Sequence, residues 1–553
     1  MTMPQPLPIP DDFPVTWDRP GDEQLFWAQD VMHQPYPITP LNETLHQPAF
    51  SEGASRAVAR LSMPVDELRY SVHNGYSYFT ARPVMLPPEE MDARFQEMQR
   101  ITIELGSTVL QDWRQTFEPR VLALCDGILQ HDYDALTTAD LARYVTSFYD
   151  IQVEFFDIHM RVNIPPMNAV FGFEEFLSEF LDQEAVMKSR LLQAGFDNKS
   201  VQYGGAIWDL SRWVREDQDL ATLVKATQPV DGAVSLNDHP RASEFNERWQ
   251  AFTKEYGWRS DFFFEIGEPS WWEDQSTLLS QFKHFLGQDD SADPYANHRR
   301  HAEGRDALAA EFEARLPEPA VPQFRAMLPL VQQYIPIAED HNFTIDQKST
   351  AVIRFGVQQL GKRLALEGEL EDSEDVFYLH LDEIDSIAGG ASASAFKDQI
   401  GPRRQTRRDQ QTRRPPMLIG TPPPPDAPAD PLVTKFFGLG AEASTDARTL
   451  KGNACSAGQI TGTAKVVLSL DESDKLEPGD IMVCPMTMPP WTPLFDIVGA
   501  VVADSGGVLS HCAIVAREYG IPCVAGTMTG TQAIKDGMTI RVDGTAGTVE
   551  IIG

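Results

Sequence analysis

SGGVLSHCAIVAREYGIPCVAGT, residues 505–527, is the stretch that decides the fold of the C-terminal part of the chain. It follows the apolar run GAVVAD, which predicts a strand ending at Asp504. Gly506 and Gly507 then allow the backbone to turn tightly and to pass close to a ligand. This order of residues predicts a strand that leads into a tight, ligand-facing turn.

The same stretch predicts a short helix directly after the turn. Ser510 is a favourable N-cap, the helix runs from His511 to Tyr519, and Gly520 and Pro522 stop it. His511 is therefore expected on the first helical turn. Unsatisfied N–H groups and the positive end of the helix dipole favour an anion there, and a phosphoryl group on imidazole is one.

The imidazole of His511 has the chemistry of a phosphoryl carrier. Imidazole titrates near neutral pH, and its N–P bond remains labile enough to pass the group onward. Taken locally, however, the pattern allows two interpretations. His511 is either a phosphoryl-carrying nucleophile or a capping or core histidine that follows an ordinary glycine turn.

Residues 446–553 are predicted to form a separate β/α domain around this helix. Short β-rich runs alternate with turns that contain Gly, Pro and Asp. These runs are QITGTAKVVLSL, DIMVCP, GAVVAD, MTIRV and TVEII.

Residues 1–387 are predicted to form a large, mainly helical domain. The segment ELRYSVHNGYSYFTAR alternates apolar and polar residues around an Asn-Gly dipeptide, which predicts one β-hairpin. Helical spacing of apolar residues begins after Pro87-Pro88 and returns over residues 352–364. The predicted fold class is a multidomain α+β chain.

Residues 388–445 are predicted to be a linker, because GGASASA, RRQTRRDQQTRR and TPPPPDAPADP are not expected to form a packed element. The arginines between Arg403 and Arg414 allow two interpretations, a tail for RNA or membranes and a solvated helix end. The second is favoured, because no aromatic residues interleave the arginines. The proline run is predicted to be a semi-rigid spacer.

Composition excludes several classes of protein. A net charge of -35 would repel a phosphate backbone, so no nucleic-acid partner is expected. No basic segment precedes an apolar one at the start, and no apolar run reaches about 18 residues, so no membrane partner is expected. The five cysteines are widely spaced and lack a C-x-x-C pair, which indicates no metal site and favours a cytoplasmic protein.

The motif over residues 506–522 resembles the phosphohistidine signature GG-x-x-SH-x-AIVAR-x-x-GIP. That signature belongs to the mobile domain of phosphoenolpyruvate synthases, pyruvate phosphate dikinases and rifampicin phosphotransferases. The resemblance extends through GQITGTAKV, LEPGDIMV, TMPPWTPLF and KDGMTIRVDGTAGTVEI. It implies a small swivelling β/β/α domain in which His511 is the phosphorylated, catalytic residue.

The resemblance also implies phosphate-supporting roles for Gly506, Gly507, Ser510 and Arg517. Two of these roles remain open from the residues alone. Ser510 either bonds the phosphoryl group or only caps the helix. Arg517 lies six residues after His511, off its helical face, so a structural role is at least as plausible as a phosphate contact.

Upstream segments are similar to the acceptor-binding domain of rifampicin phosphotransferase-like proteins. The matching segments are PYPITPL, NGYSYF, YGWRSDFFFEIGEPSWWED and LALEGELEDSEDVFYLHLDEI. Trp258 departs from the pattern, because a histidine is common at that place. Neither a Gly-rich phosphate loop nor a pyruvate-binding barrel is recognised in the chain.

These resemblances imply a split enzyme, similar to phenylphosphate and methylbenzyl phosphate synthases. ATP and Mg²⁺ are expected on a separate ATP-grasp subunit, with no cofactor bound tightly by this chain. His511 would carry a phosphoryl group to the hydroxyl of a small, aromatic alcohol or phenol. The alternatives are a rifamycin-like antibiotic as acceptor and a phosphohistidine carrier that acts on another protein.

Residues of the acceptor site are less well defined by the sequence. His159, His341 and Glu339 are candidates for a general base. Two aromatic clusters could line a pocket, although apolar stripes of this kind are more often core. The clusters are Phe171, Phe173 and Phe176, and Phe262, Phe263, Phe264, Trp271 and Trp272.

Overall fold

The computed structural model describes residues 5–424 and 448–552. Its helices are α1 Gln47–Arg60, α2 Pro88–Asp112, α3 Glu118–Leu129, α4 Thr138–Thr146, α5 Phe148–Ser178, α6 Gln183–Lys188, α7 Lys199–Arg215, α8 Gln218–Ala226, α9 Ala242–Tyr256, α10 Ser276–Gly287, α11 Pro294–Arg315, α12 Val321–Val331, α13 Tyr334–His341, α14 Thr350–Leu366, α15 Leu381–Ala388, α16 Lys397–Gln411, α17 His511–Tyr519 and α18 Gly530–Ala533.

Twelve strands form two sheets within these residues. They are β1 Phe26–Gln29, β2 Val65–His73, β3 Tyr76–Pro83, β4 Leu418–Gly420, β5 Thr449–Lys451, β6 Asn453–Ser456, β7 Gln459–Val466, β8 Ile481–Cys484, β9 Ala500–Ala503, β10 Cys523–Ala525, β11 Thr539–Asp543 and β12 Thr548–Ile551. The fold is a multidomain α+β fold, as the sequence predicts.

The chain divides into two compact units. The first unit comprises residues 1–169, 198–279 and 333–425, and the second comprises residues 170–197, 280–332 and 426–553. The structure thus groups two helical segments with the C-terminal domain, whereas the sequence placed both in a helical domain over residues 1–387. Their side chains contact the C-terminal domain, and sequence spacing cannot show such contacts.

The first unit is built on helices and one small sheet. Its core is a cluster of buried apolar residues that includes Trp113, Phe148 and Val352. The sheet has the strand order β2-β3-β1-β4. Its hairpin confirms the prediction: β2 and β3 pair antiparallel, and the turn residues Asn74 and Gly75 have φ of 50° and 83°.

Three helical segments in the first unit are wound as π turns, which are wider than α-helix. They cover Asn42–His46, Trp113–Phe117 and Asn342–Ser349. Such segments are rare and frequently occur at functional sites. Two of them place residues of a buried histidine cluster, which is described below.

The segment around α16 differs from the prediction of a linker over residues 388–445. α16 is a regular helix, and Arg407 is buried in it. The guanidinium of Arg407 donates to Pro37 O at 3.0 Å and to Glu268 at 2.7 Å. Arg403 pairs with Glu383. Acidic residues from other segments of the chain pair with these arginines. Composition alone does not show such pairs.

Two further parts of the linker prediction concern Arg404 and the proline run. Arg404 pairs with Asp375 at 2.6 Å, so this arginine is not simply solvated. The predicted proline spacer continues through residues 425–447, which lie outside the described residues.

The C-terminal domain of the second unit has an eight-stranded sheet, ordered β5-β12-β11-β7-β8-β9-β10-β6. β7, β8, β9 and β10 run parallel to one another, and the remaining pairs are antiparallel. β8 and β9 are buried along their whole length. Continuous apolar runs such as AVVA are typical of strands covered on both faces. Strand β9 leads directly into the predicted site.

No helix within the described residues is both long enough and apolar enough to cross a membrane.

Candidate functional site

A glycine turn connects strand β9 to helix α17. Asp504 ends the strand, and its backbone N–H donates to Cys484 O at 3.0 Å. Gly506 has φ of 109°, a conformation that side-chain-bearing residues rarely adopt. A Cβ atom at this position would stand 2.9 Å from Ser510 Oγ. The turn therefore requires glycine for its backbone shape and for the close approach of Ser510.

Ser510 is the N-cap of α17. Its Oγ accepts from the N–H of Ala513 at 3.4 Å and donates to Gly507 O at 2.8 Å. The N–H of Ser510 also bonds Gly507 O, at 3.1 Å. The hydrogen bonds between Ser510 and Gly507 hold the start of the helix in place. Ser510 therefore has the capping role, which is one of the two roles that the sequence left open.

His511 is the first residue of α17 and is partly exposed. Its Nε2 lies 3.4 Å from Thr492 Oγ1. The first turn of a helix offers N–H groups without intrahelical partners and a positive dipole end. A phosphoryl group on this imidazole would sit in a favourable field. Thr492 was given no role from the sequence, although it lies within the TMPPWTPLF segment.

Arg517 contacts backbone carbonyls of its own domain. One guanidinium nitrogen donates to Val508 O at 2.8 Å and to Cys455 O at 2.9 Å. Burial, with a smaller contribution from the like charge of Arg190, lowers the pKa of Arg517 to about 10. These hydrogen bonds hold the turn before His511 against β6. Arg517 therefore supports the site by positioning this turn.

Three buried cysteines, Cys512 on α17, Cys455 on β6 and Cys523 on β10, lie on the inner side of this helix. Cys512 Sγ lies 3.5 Å from Cys523 Sγ, and Cys455 Sγ donates to Gly507 O at 3.6 Å. A hydrogen bond from Cys523, opposed by burial, lowers the pKa of Cys455. The side chain of Cys512 therefore lies in the interior of the domain and not on the solvent-facing side of α17.

Helices of the second unit also contact its C-terminal domain. Arg190 donates to Ala454 O at 2.7 Å and pairs with buried Glu174 at 2.6 Å. Gln288 donates to Asp496 at 2.7 Å. The contacts of Arg190 with Ala454 and of Gln288 with Asp496 join residues more than 200 positions apart, so no local signal in the sequence indicates them.

The base candidates of the first unit have different surroundings. His159 Nδ1 lies 2.8 Å from Asp346 Oδ1, and His341 Nε2 lies 3.7 Å from Asp346 Oδ2. Glu339 accepts a hydrogen bond from Ser200, and burial raises the pKa of Glu339. The structure thus brings two of the three candidates together on Asp346, which the sequence did not single out.

Further histidines lie close to this pair. The ring of His33 is 6.3 Å from that of His159 and stacks on Phe264 at 4.8 Å. Burial lowers the pKa of His33, but Asp30 outweighs it and the net pKa is raised. His46 bonds Gln152 Oε1 at 2.8 Å, and burial lowers the pKa of His46 to about 3.

Burial dominates the electrostatics of the pair itself. It lowers the pKa of His341 to about 4, although Asp346 acts in the opposite direction. Burial opposes ionisation of Asp346, yet His159 and His341 reverse this effect and hold its pKa below the usual value. The structure therefore favours an ionised carboxylate between two imidazoles.

The aromatic candidates for a pocket are mostly core. Phe173 packs on Phe324 at 5.6 Å within the second unit. In the first unit, Phe264 is buried against the histidines, while Trp258 and Trp272 stack at 5.9 Å. Phe262 and Phe263 line a small cavity of about 10 Å³, room for about one water. Neither cluster forms a large acceptor pocket within the described residues.

Comparison with protein families matches two segments of the chain. Residues 476–547 match the mobile domain of PEP-utilising enzymes, and residues 159–339 match the fourth domain of rifampicin phosphotransferase. Fold and site thus define the class of proteins that carry a PEP-utiliser mobile domain. The two matches support a place for this chain in the superfamily of PEP-utilising enzymes and rifampicin phosphotransferases.

Relatives among curated proteins agree with this assignment. Chondramide synthase cmdD of Chondromyces crocatus is 31% identical over 99% of this chain. The uncharacterized phosphotransferase YvkC of Bacillus subtilis is 26% identical over 96%, and a rifampicin phosphotransferase of Streptomyces sviceus is 28% identical over 78%. The chain spans 14%, 62% and 50% of the lengths of these three relatives, respectively.

Proposed function

We propose that this chain is the phosphoryl-carrying component of an ATP-dependent, dikinase-type phosphotransferase. The placement of His511 carries the proposal: a partly exposed imidazole stands on the first turn of α17, behind a glycine turn and a serine cap. Helix N-termini favour anions, and imidazole is a nucleophile at neutral pH. The match to the PEP-utiliser mobile domain supports the same chemistry.

The first half-reaction loads the histidine. An imidazole nitrogen of His511 attacks the β-phosphorus of ATP, the bond to the α-phosphate oxygen breaks, and AMP leaves. Water then attacks the γ-phosphorus, the bond from this phosphorus to the β–γ bridging oxygen breaks, and inorganic phosphate leaves, so that one phosphoryl group stays on His511. The imidazole loses its N–H proton to solvent, and Gly507 and Ser510 keep the helix start in place during loading.

The second half-reaction transfers the group to a hydroxyl. The acceptor oxygen attacks phosphorus, the N–P bond of His511 breaks, and the hydroxyl proton is lost. The products are a phosphate ester and the free imidazole. We place a small aromatic alcohol or phenol first among acceptors, since a phenol ionises near pH 10 and needs little help from a base.

ATP and Mg²⁺ are proposed to bind to a separate ATP-grasp subunit. The reason is chemical: no Gly-rich phosphate loop is recognised in the sequence, and we assign no tightly bound cofactor to this chain. A cytoplasmic location is part of the same proposal, because ATP must be available to the partner.

A second candidate acceptor is a rifamycin-like antibiotic. The match of residues 159–339 to the fourth domain of rifampicin phosphotransferase favours it. A third possibility, from another class, is a carrier that phosphorylates a protein. An acceptor screen with isolated phospho-protein separates the three, because only the first two consume small hydroxyl compounds.

The decisive experiment labels the chain with ATP that carries ³²P in the β position, in the presence of the ATP-grasp partner. We expect one label per wild-type chain and none on the His511→Ala variant, because no other side chain replaces the attacking nitrogen. Product formation should be lost as well. Retained turnover by the variant would overturn the mechanism.

A matched control removes another partly exposed histidine of the same unit. His298 lies on α11, and His298→Ala should keep both the label and the turnover. The stability of His511→Ala should remain within about 0.5 kcal/mol of wild type, as is usual for surface substitutions. A loss of label that accompanies unfolding would not support the proposal.

A further inference from the structure

A second group of reactive side chains lies in the first unit. His159, His341 and Asp346 each offer one ligand atom, and these atoms lie within 4.8 Å of one another. All three residues are buried, with exposures of 4%, 4% and 2%. Two imidazoles that converge on one carboxylate form a ligand set for a metal ion.

The distances within the group suit a small ion. Asp346 oxygens lie 2.8 Å from His159 Nδ1 and 3.7 Å from His341 Nε2. Ligand atoms about 2.1 Å from a tetrahedral zinc ion stand about 3.4 Å apart. The 2.8 Å separation involves Asp346 Oδ1 and the 3.7 Å separation involves Asp346 Oδ2, and one ligand atom from each residue can be chosen so that all three lie within 4.8 Å of one another. Side-chain shifts of about 1 Å would bring these three atoms to the tetrahedral spacing.

The tautomer of His341 is fixed by a second contact. Its Nδ1 lies 2.6 Å from Ile337 O, and a carbonyl can only accept a hydrogen bond. Nδ1 therefore carries the proton, and Nε2, which faces Asp346, offers its lone pair. Metal-binding histidines commonly donate their other ring N–H to a backbone carbonyl in this way.

The carboxylate is oriented by its own neighbour. Asn342 Nδ2 donates to Asp346 Oδ2 at 3.2 Å. Asn342 and Asp346 belong to the π turn Asn342–Ser349, and His341 ends the preceding helix α13. The wider turn brings the side chains of His341 and Asp346 to the same side, and His159 approaches from α5.

Two observations around the group indicate space and polarity for an additional ligand. The cavity of about 10 Å³ borders Asp346, which gives room for about one water beside the carboxylate. His46, whose ring packs on the same Phe264 as His159, is 1% exposed, and its Nε2 has no hydrogen-bond partner. Buried polar atoms are normally satisfied, by protein or by water.

We infer that His159, His341 and Asp346 bind a divalent transition-metal ion of the zinc class. Nitrogen ligands select against Mg²⁺ and Ca²⁺, which prefer oxygen. Three protein ligands leave one position of a tetrahedral ion for water or substrate. This inference departs from the expectation from the sequence that the chain has no metal site, and it does not depend on phosphoryl transfer.

The test uses the full chain, freed of metal with a chelator and then titrated with Zn²⁺ in the presence of a chromophoric competitor. We expect one tight equivalent per chain. Co²⁺ in place of Zn²⁺ should give the intense visible absorption of a tetrahedral site. A wild-type chain that takes up no stoichiometric Zn²⁺ would overturn the inference and leave a simple hydrogen bond between His159 and Asp346.

Variants locate the ion. His341→Gln and Asp346→Asn should each weaken Zn²⁺ binding by about 100-fold or more, whereas His131→Gln should bind like wild type. His131 stacks on Tyr144 at 4.1 Å in the same unit. Far-UV circular dichroism checks that each variant is folded. Unchanged affinity in both ligand variants would also overturn the assignment.

Discussion

His511 and His159 are both histidines beside a polar partner, yet their surroundings differ in almost every respect. His511 is partly exposed at a helix start, and the residues that shape its surroundings lie mainly within 504–522. His159 is 4% exposed and bonds Asp346, which lies 187 residues further along the chain. The proposed phosphoryl carrier needs access to donor and acceptor, whereas the proposed metal ligand needs rigidity.

This difference also decides what each histidine contributes to stability. A buried charged pair is costly to break, because removal of one partner leaves the other without compensation. Removal of an exposed side chain, such as that of His511, changes the free energy of unfolding only slightly. Variants of the two regions should therefore separate stability from function, and nine of the ten tryptophans lie in the first unit, whose unfolding they report.

The largest effect is expected for Asp346→Asn. In metal-free buffer this variant should lose about 3 kcal/mol of unfolding free energy, because His159 and His341 lose their common carboxylate in a buried site. Urea titration followed by tryptophan fluorescence measures the change. Exposed Asp126 provides the control, and Asp126→Asn should stay within about 0.5 kcal/mol of wild type. Equal losses in both variants would remove the contrast between the regions.

A medium effect is expected from the titration of His46. Its pKa is lowered to about 3 by burial, against the hydrogen bond that His46 donates to Gln152 Oε1, with His33 and Asp346 as the charged neighbours. The unfolded state takes up a proton below about pH 6.5, and the folded state does not. Stability is therefore complete above that pH and is lost as the pH falls toward 3.

The matching measurement compares wild type with His46→Gln from pH 7 to pH 5. Wild type should lose about 2 kcal/mol more than the variant over this range, because only wild type gains a proton at this position on unfolding. Urea titrations at several pH values give the two slopes. Parallel slopes would show that His46 is not held neutral by the fold.

The smallest effect is expected for Ser510→Ala in the second unit. Loss of the cap to Ala513 should destabilise the start of α17 by about 1 kcal/mol. Hydrogen exchange of the Ala513 amide should accelerate about fivefold, while amides of β8 keep their protection. If phosphohistidine on His511 is hydrolysed faster in this variant as well, Ser510 also stabilises the phosphoryl group.

The sequence predicted elements whose determinants are local. The structure has α17 from His511 to Tyr519 with Gly520 at φ 67°, as the cap and stop residues indicated. Asp346 and α16 could not be found in this way. Asp346 becomes a ligand candidate only through His159 and His341, and α16 is stabilised by acids such as Glu383.

Helix α16 has a consequence for the handling of this protein by proteases. Trypsin-like enzymes bind their substrate as an extended chain, so they cut first at exposed, irregular segments. Arg407 is buried in the helix, and Arg403 pairs with Glu383. Both arginines are therefore protected from cleavage. Exposed Arg414 lies beyond the helix end, but Pro415 follows it and trypsin-like enzymes do not cut an Arg–Pro bond, so the chain is protected at this point as well.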